Sequence, residues 1–204
     1  KDGKRPAVAT FSSQNFNGSV GEYNIEDAYM QMKARGIGIL CGQEGRRRLV
    51  SETRWDTEEL LLAFETDIDG GSNEQQKRDN RKKDGNFFML NGEWKDAYIR
   101  GGKQSTRYCP RLVTIRIPLQ TGLTLYLVNV HFPDGDKPAA VRQAYMHRYE
   151  QALRSAQHGD VTVVMGDFNA CTGTSANLSD GVCGSYVVAY MNEAGATLRG
   201  VSAE

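Results

Sequence analysis

Asp167 and Asn169 stand one residue apart, just past Gly166 and the run Val161-Thr-Val-Val-Met165. On an extended backbone, residues i and i+2 point to the same side. A carboxylate and an amide would therefore project together from the end of an apolar strand. Hard cations such as Mg²⁺ take oxygen ligands of this kind, and phosphate-ester hydrolysis uses such a cation. The plainer reading is an Asx-type turn closing a strand, because Asp and Asn are common turn residues. Three more apolar runs end on polar residues, at Asn15, Glu44 and His131. Active sites in layered α/β folds gather at such ends, on loops carried by a rigid sheet. One strand end with an acid means little; four, in order, exceed what turn propensity explains.

The elements that must position these residues can be read from pattern. Residues 7–13 and 37–44 are apolar, β-branched runs and predict strands. Between them residues 24–36 predict a short helix, with Asn24 as its cap, Glu26 and Asp27 in its first turn and Gly36 at its end. Strand, helix, strand at this spacing is a βα unit feeding one sheet. Residues 46–64 are ambiguous, with 59–63 read as the end of a short helix. Residues 69–86 lack apolar periodicity and predict a mobile surface loop. Residues 87–90, 112–118 and 123–130 predict strands, the last two joined as a hairpin across Gln120-Thr-Gly122. A second helix is expected over 137–158, capped by Asp136, with Val141, Tyr145, Tyr149 and Leu153 as its core stripe. Residues 161–165 predict a buried strand.

The whole chain fits one globular domain. It has 204 residues, 39% hydrophobic and 25% charged, which suffices for a sizeable core. Lys+Arg and Asp+Glu both number 25, so nucleic-acid binding would need a local basic patch rather than overall charge. No apolar run approaches the ~20 residues needed to span a bilayer. The start, Lys1-Asp-Gly-Lys-Arg-Pro6, lacks Met and gives no localisation. Four cysteines (Cys41, Cys109, Cys171, Cys183) show no zinc spacing. Cys41 is expected as a buried small hydrophobe, a Cys171–Cys183 pair stays open, and a reducing compartment is the milder preference.

Taken together the motifs resemble the endonuclease/exonuclease/phosphatase superfamily. Asn15-Phe-Asn-Gly18 is similar to its first motif, Ile39-Leu-Cys-Gly-Gln-Glu44 to its second, Asn129-Val-His-Phe-Pro133 to its third, and Gly166-Asp-Phe-Asn-Ala170 to its fourth. The spacing, Arg111 and Asn192-Glu-Ala-Gly195 resemble endonucleases of non-LTR retrotransposons and their craniofacial-development-protein-like relatives. The resemblance implies an α/β four-layer sandwich: two packed mixed β-sheets flanked by helices. It implies a Mg²⁺- or Mn²⁺-dependent phosphodiesterase, a retrotransposon-derived nucleic-acid endonuclease. Glu44 would be the main metal ligand with Asn15 in support. Asp167 would orient or deprotonate water, Asn169 would hold the scissile phosphate, and His131 would donate to phosphate oxygens. Arg46, Arg47 and Arg48, with the 77–83 run, would contact nucleic-acid phosphates.

The pattern also departs from the family, which ends in further strands and a Ser-Asp-His motif with a catalytic His. The sequence given stops before them, and Ser179-Asp-Gly181 is no substitute. His147 and His158 are expected at the surface. The expectation is a domain truncated at its C-terminal end. The alternative function is a catalytically inactive domain of the same fold, serving as an interaction subunit whose protein partner covers an open sheet edge.

Overall fold

The computed structural model describes residues 10–16, 22–45, 51–53, 59–63, 85–119, 122–173 and 190–202. Its strands are β1 (Phe11–Asn15), β2 (Ile39–Gln43), β3 (Ser51–Thr53), β4 (Glu59–Ala63), β5 (Phe87–Asn91), β6 (Ser105–Cys109), β7 (Leu112–Pro118), β8 (Thr124–His131) and β9 (Asp160–Asp167). The helices are α1 (Glu22–Arg35), α2 (Gly92–Arg100), α3 (Ala139–Arg154) and α4 (Glu193–Ser202). Two mixed sheets result, ordered β1-β2-β5-β4-β3 and β6-β7-β8-β9. The pairs β1–β2 and β8–β9 are parallel and the rest antiparallel.

Alternation along the strands explains the layering. Ile39 and Cys41, Phe88 and Leu90, Val113, Ile115 and Ile117, and Leu125 and Leu127 all point into one core between the sheets. Their neighbours face outward: Leu40, Phe87 and Met89 pack under Ala28 and Met32 of α1. Leu112, Tyr126, Val128 and Val130 pack under Tyr145, Tyr149 and Ala152 of α3. With both faces of each sheet covered, a strand reads as one continuous apolar run. The order is helix, sheet, sheet, helix, the four-layer sandwich expected from the motifs.

Several expectations need correction. Residues 59–63 are strand β4, not a helix end, because Leu60, Leu61 and Leu62 pair with β5 and cross-strand pairing overrides leucine's helix preference. Helix α1 begins at Glu22, so Asn24 lies inside it; Gly36 (φ 64°) does close it, with Ile37 N donating to Met32 O at 2.8 Å. Helix α3 begins at Ala139 with Pro138 extended at its N-cap, since a proline disfavours the helical region for Lys137 before it. Val141 is 48% exposed, so the core stripe is Tyr145, Tyr149 and Ala152, with Leu153 half-buried.

Asn86, placed by sequence in the 69–86 loop, is buried; residues 69–84 lie outside the described part. Strand β9 is not fully buried. Among the described residues it pairs on one side only, with β8, and Val161 is 41% exposed. Helix α2 and strand β6 escaped the sequence reading, although Trp94, Ala97 and Tyr98 carry α2's buried i, i+3, i+4 stripe. His147 and His158 are exposed as expected. Cys41, Cys109 and Cys171 are free thiols, and burial pushes the Cys41 thiol far up, as an inert core residue requires. Cys183 lies outside the described residues. No helix among them is long and apolar enough to cross a membrane.

Candidate active site

Each of the two parallel pairs brings two strand ends side by side. Asn15 is in register with Gln43 at the ends of β1 and β2, and His131 is in register with Asp167 at the ends of β8 and β9. Strands β1 and β2 also pack across β9. The carboxyl ends of both sheets therefore meet at one place.

Gly166 makes the last step possible. Its φ is 147°, and a Cβ there would collide with the Val130 carbonyl oxygen. Only glycine lets β9 close on β8 at that point. Asp167 then accepts from the Asn169 backbone N at 3.0 Å, an Asx turn that holds Asn169 at φ 44°. The turn reading of this stretch therefore holds, and the turn fixes where Asp167 and Asn169 stand.

Asn15 joins the two sheets. Its Nδ2 donates to Glu44 Oε1 at 3.1 Å and to Asp167 Oδ2 at 2.9 Å. One amide nitrogen therefore holds two carboxylates from different sheets against each other. Glu44 itself sits at φ 55°, a backbone conformation costly for a non-glycine residue. His131 Nε2 lies 3.7 Å from Glu44 Oε1, beyond hydrogen-bond distance, and its side chain is only 3% exposed. Its backbone N donates to Arg111 O at 2.9 Å and to the Tyr145 hydroxyl at 3.2 Å. An open cleft of about 640 Å³ runs past Ser13, Asn15, Gln43, Asp167, Asn169 and Cys171. The Glu44 side chain is 18% exposed.

Beneath the cleft lies a polar network that sequence reading missed. Asn129, fully buried, donates from Nδ2 to Gly42 O at 3.0 Å and Phe87 O at 2.8 Å. Its Oδ1 accepts from Gln43 Nε2 at 2.8 Å and Asn86 Nδ2 at 3.3 Å. Gln43 Oε1 accepts from Ser13 Oγ at 3.3 Å. The chain from β1 through β2 to β8 fixes the sheets relative to each other one residue below Glu44. The signal was present, since a Gln and an Asn each sit inside an apolar run where only a satisfied polar group is tolerated.

Two loop residues complete the frame. Asn192, at the start of α4, accepts on Oδ1 from Gly195 N at 2.8 Å and Cys171 N at 3.1 Å. Its Nδ2 donates to Asn169 O at 3.3 Å, so one N-cap side chain also holds the turn after Asn169. Asp134 Oδ1 accepts from Asn169 Nδ2 at 3.0 Å. Arg46, Arg47 and Arg48, and the 77–83 run, lie outside the described residues.

The candidate ligand atoms at the junction are the carboxylate oxygens of Glu44 and Asp167, to which Asn15 presents its amide nitrogen. Among the described residues no group of three or more His, Cys, Asp or Glu could enclose a metal ion. This set fits Mg²⁺, which keeps several waters and is held through one or two carboxylates, rather than an ion needing a protein cage.

No family model and no curated protein matches this chain. Solved structures do match it. The AP endonuclease LMAP from Leishmania major aligns with 80% of this chain and 56% of its own, at TM-score 0.54 and 15% identity. The endonuclease domain of TRAS1, a telomere-specific non-LTR retrotransposon, aligns with 92% of this chain and 66% of its own, at 0.52 and 15%. An AP endonuclease from Archaeoglobus fulgidus aligns with 96% and 70%, at 0.51 and 13%. The chain thus spans little more than half the length of the first of these. At such identities the likeness is one of fold, and the chain shares the fold of these endonuclease structures.

Proposed function

We propose that this chain is a divalent-metal-dependent phosphodiesterase, a retrotransposon-derived endonuclease acting on nucleic acid. One observation carries the reading: the Asn15 amide holds Glu44 and Asp167 together where the carboxyl ends of the two sheets meet. Glu44 would hold Mg²⁺ or Mn²⁺, with Asn15 supporting it. Bound there, the ion would neutralise charge developing on the phosphate. Asp167, steadied by Asn15 and the Asn169 backbone, would orient water and take its proton. Asn169, on the cleft wall, would position the scissile phosphate. His131 would act on phosphate oxygens once Glu44 moves aside, and otherwise backs the Glu44 carboxylate. Arg46, Arg47 and Arg48 would supply flanking phosphate contacts.

A second reading is a non-catalytic subunit of this fold docked on a protein partner. It is favoured by the Asn169 amide, whose hydrogens are both taken up within the chain. Cleavage of a supercoiled plasmid and an abasic duplex with Mg²⁺ separates the two. The first reading expects cleavage by the chain and a fall of more than about a hundredfold in Glu44→Ala. Well-folded protein that cuts neither substrate, with Mg²⁺ or Mn²⁺, would leave the second.

A further inference from the structure

The Asn169 side-chain amide carries two hydrogens, and both are committed. Its Nδ2 donates to the Phe132 carbonyl oxygen at 2.7 Å and to Asp134 Oδ1 at 3.0 Å. A primary amide nitrogen has no third donor. The second oxygen of the same carboxylate, Asp134 Oδ2, lies 3.7 Å from Lys137 Nζ. An amide N–H and an ammonium converging on one oxyanion are groups that bind phosphate. A carboxylate of the chain therefore fills an anion site next to the cleft.

The two partners are not equally fixed. Asn169 is anchored through its backbone, N to Asp167 Oδ1 and O to Asn192 Nδ2. Asp134 has a side chain 50% exposed, so it can turn into solvent with little loss of packing.

We propose that Asp134 is a built-in competitor for substrate phosphate. Its carboxylate occupies the position on Asn169 and Lys137 that a phosphate oxygen would take, and a phosphoester binds by displacing it. The inference rests on Asn169 being the phosphate-holding residue of the proposed function. It makes Asp134 a residue that sets affinity for phosphate without entering the chemistry.

The probe is inorganic phosphate, titrated into the metal-free chain and followed on the backbone amide resonances of residues 167–171, which every variant retains. Asp134→Asn and Asp134→Ala should bind phosphate about tenfold tighter than the parent, the scale of one charge-assisted hydrogen bond. Adding Asn169→Ala should remove the gain. Asp136→Asn deletes an equal charge from a side chain 3.4 Å from the same lysine, and should change affinity by less than about twofold. Unchanged or weaker binding in both Asp134 variants would overturn the proposal. So would an equal gain from Asp136→Asn, or the absence of phosphate binding in every variant.

Plasmid cleavage keeps the two readings apart. A gain that depends on Asn169 in a chain that cuts nothing sustains the competitor and removes the nuclease. Cleavage dependent on Glu44, with no gain in the Asp134 variants, does the reverse.

Discussion

Asn15 stabilises the junction by lying between two carboxylates without adding charge. Asn15→Asp would place a third carboxylate there, and like charges raise the proton affinity of the newcomer. A carboxylate whose folded pKa is raised contributes its full stability below the unfolded value of about 3.9 and loses it as pH rises through the folded value. In EDTA, the stability deficit of the variant against the parent should therefore grow from pH 4.5 to pH 7.5. Every tenfold gain in the newcomer's proton affinity deepens that deficit by about 1.4 kcal/mol. Mg²⁺ should narrow the gap at the higher pH. Urea melts showing the same deficit at both pH values, with or without Mg²⁺, would sink this account. Asn15, Glu44, His131, Asp167 and Asn169 were legible because a polar residue ending an apolar run is a local pattern. Asp134 was not, and Asn192 stood out only as part of a motif, because the partners of each lie across a loop, 35 and 23 residues away.

Among the elements, α3 shows how a helix is held by its aromatic face. Tyr145 and Tyr149 pack edge-on to Phe132, and Tyr126 of β8 donates to Ala152 O at 2.9 Å. Burial pushes the Tyr126 hydroxyl up to about 12 and raises Tyr145 and Tyr149 as well. The raised Tyr126 pKa means its contribution is intact below about 10 and is lost as pH climbs toward about 12. Tyrosinate absorbance should therefore appear in two steps, exposed tyrosines first and this cluster last, together with the loss of helical ellipticity. Tyr126 ionising with the first group, while the helix persists, would count against it. The sequence showed Tyr145 and Tyr149 at helical spacing but misplaced the start of α3, since Asp136 is a good cap in isolation and Pro138 decides the boundary. Strand β4 went astray for a related reason: three leucines carry no β signal until β5 lies beside them.

The whole molecule depends on how its two sheets are registered. Apolar faces packed on each other are attractive in many offsets, whereas the hydrogen bonds of Asn129 to Gly42 O, Phe87 O, Gln43 and Asn86 form in one. Asn129→Ala should cost on the order of 4 kcal/mol in a urea melt, since two strand carbonyls and two amide groups lose a partner away from water. A loss below about 1 kcal/mol would show that the network relaxes freely. The sandwich was implied by the resemblance that the strand-end motifs carry, and strands apolar on both faces agree with it. Its register was not, because no single stretch contains both halves of the lock.

That lock lies one residue below Glu44 and two before His131, and reaches the cleft through Gln43. It works as a gauge block does: the gap above is set by the piece beneath. The rim can consequently exchange side chains and accept a different phosphoester while the floor keeps the spacing between the sheets, and with it the distance between their acids.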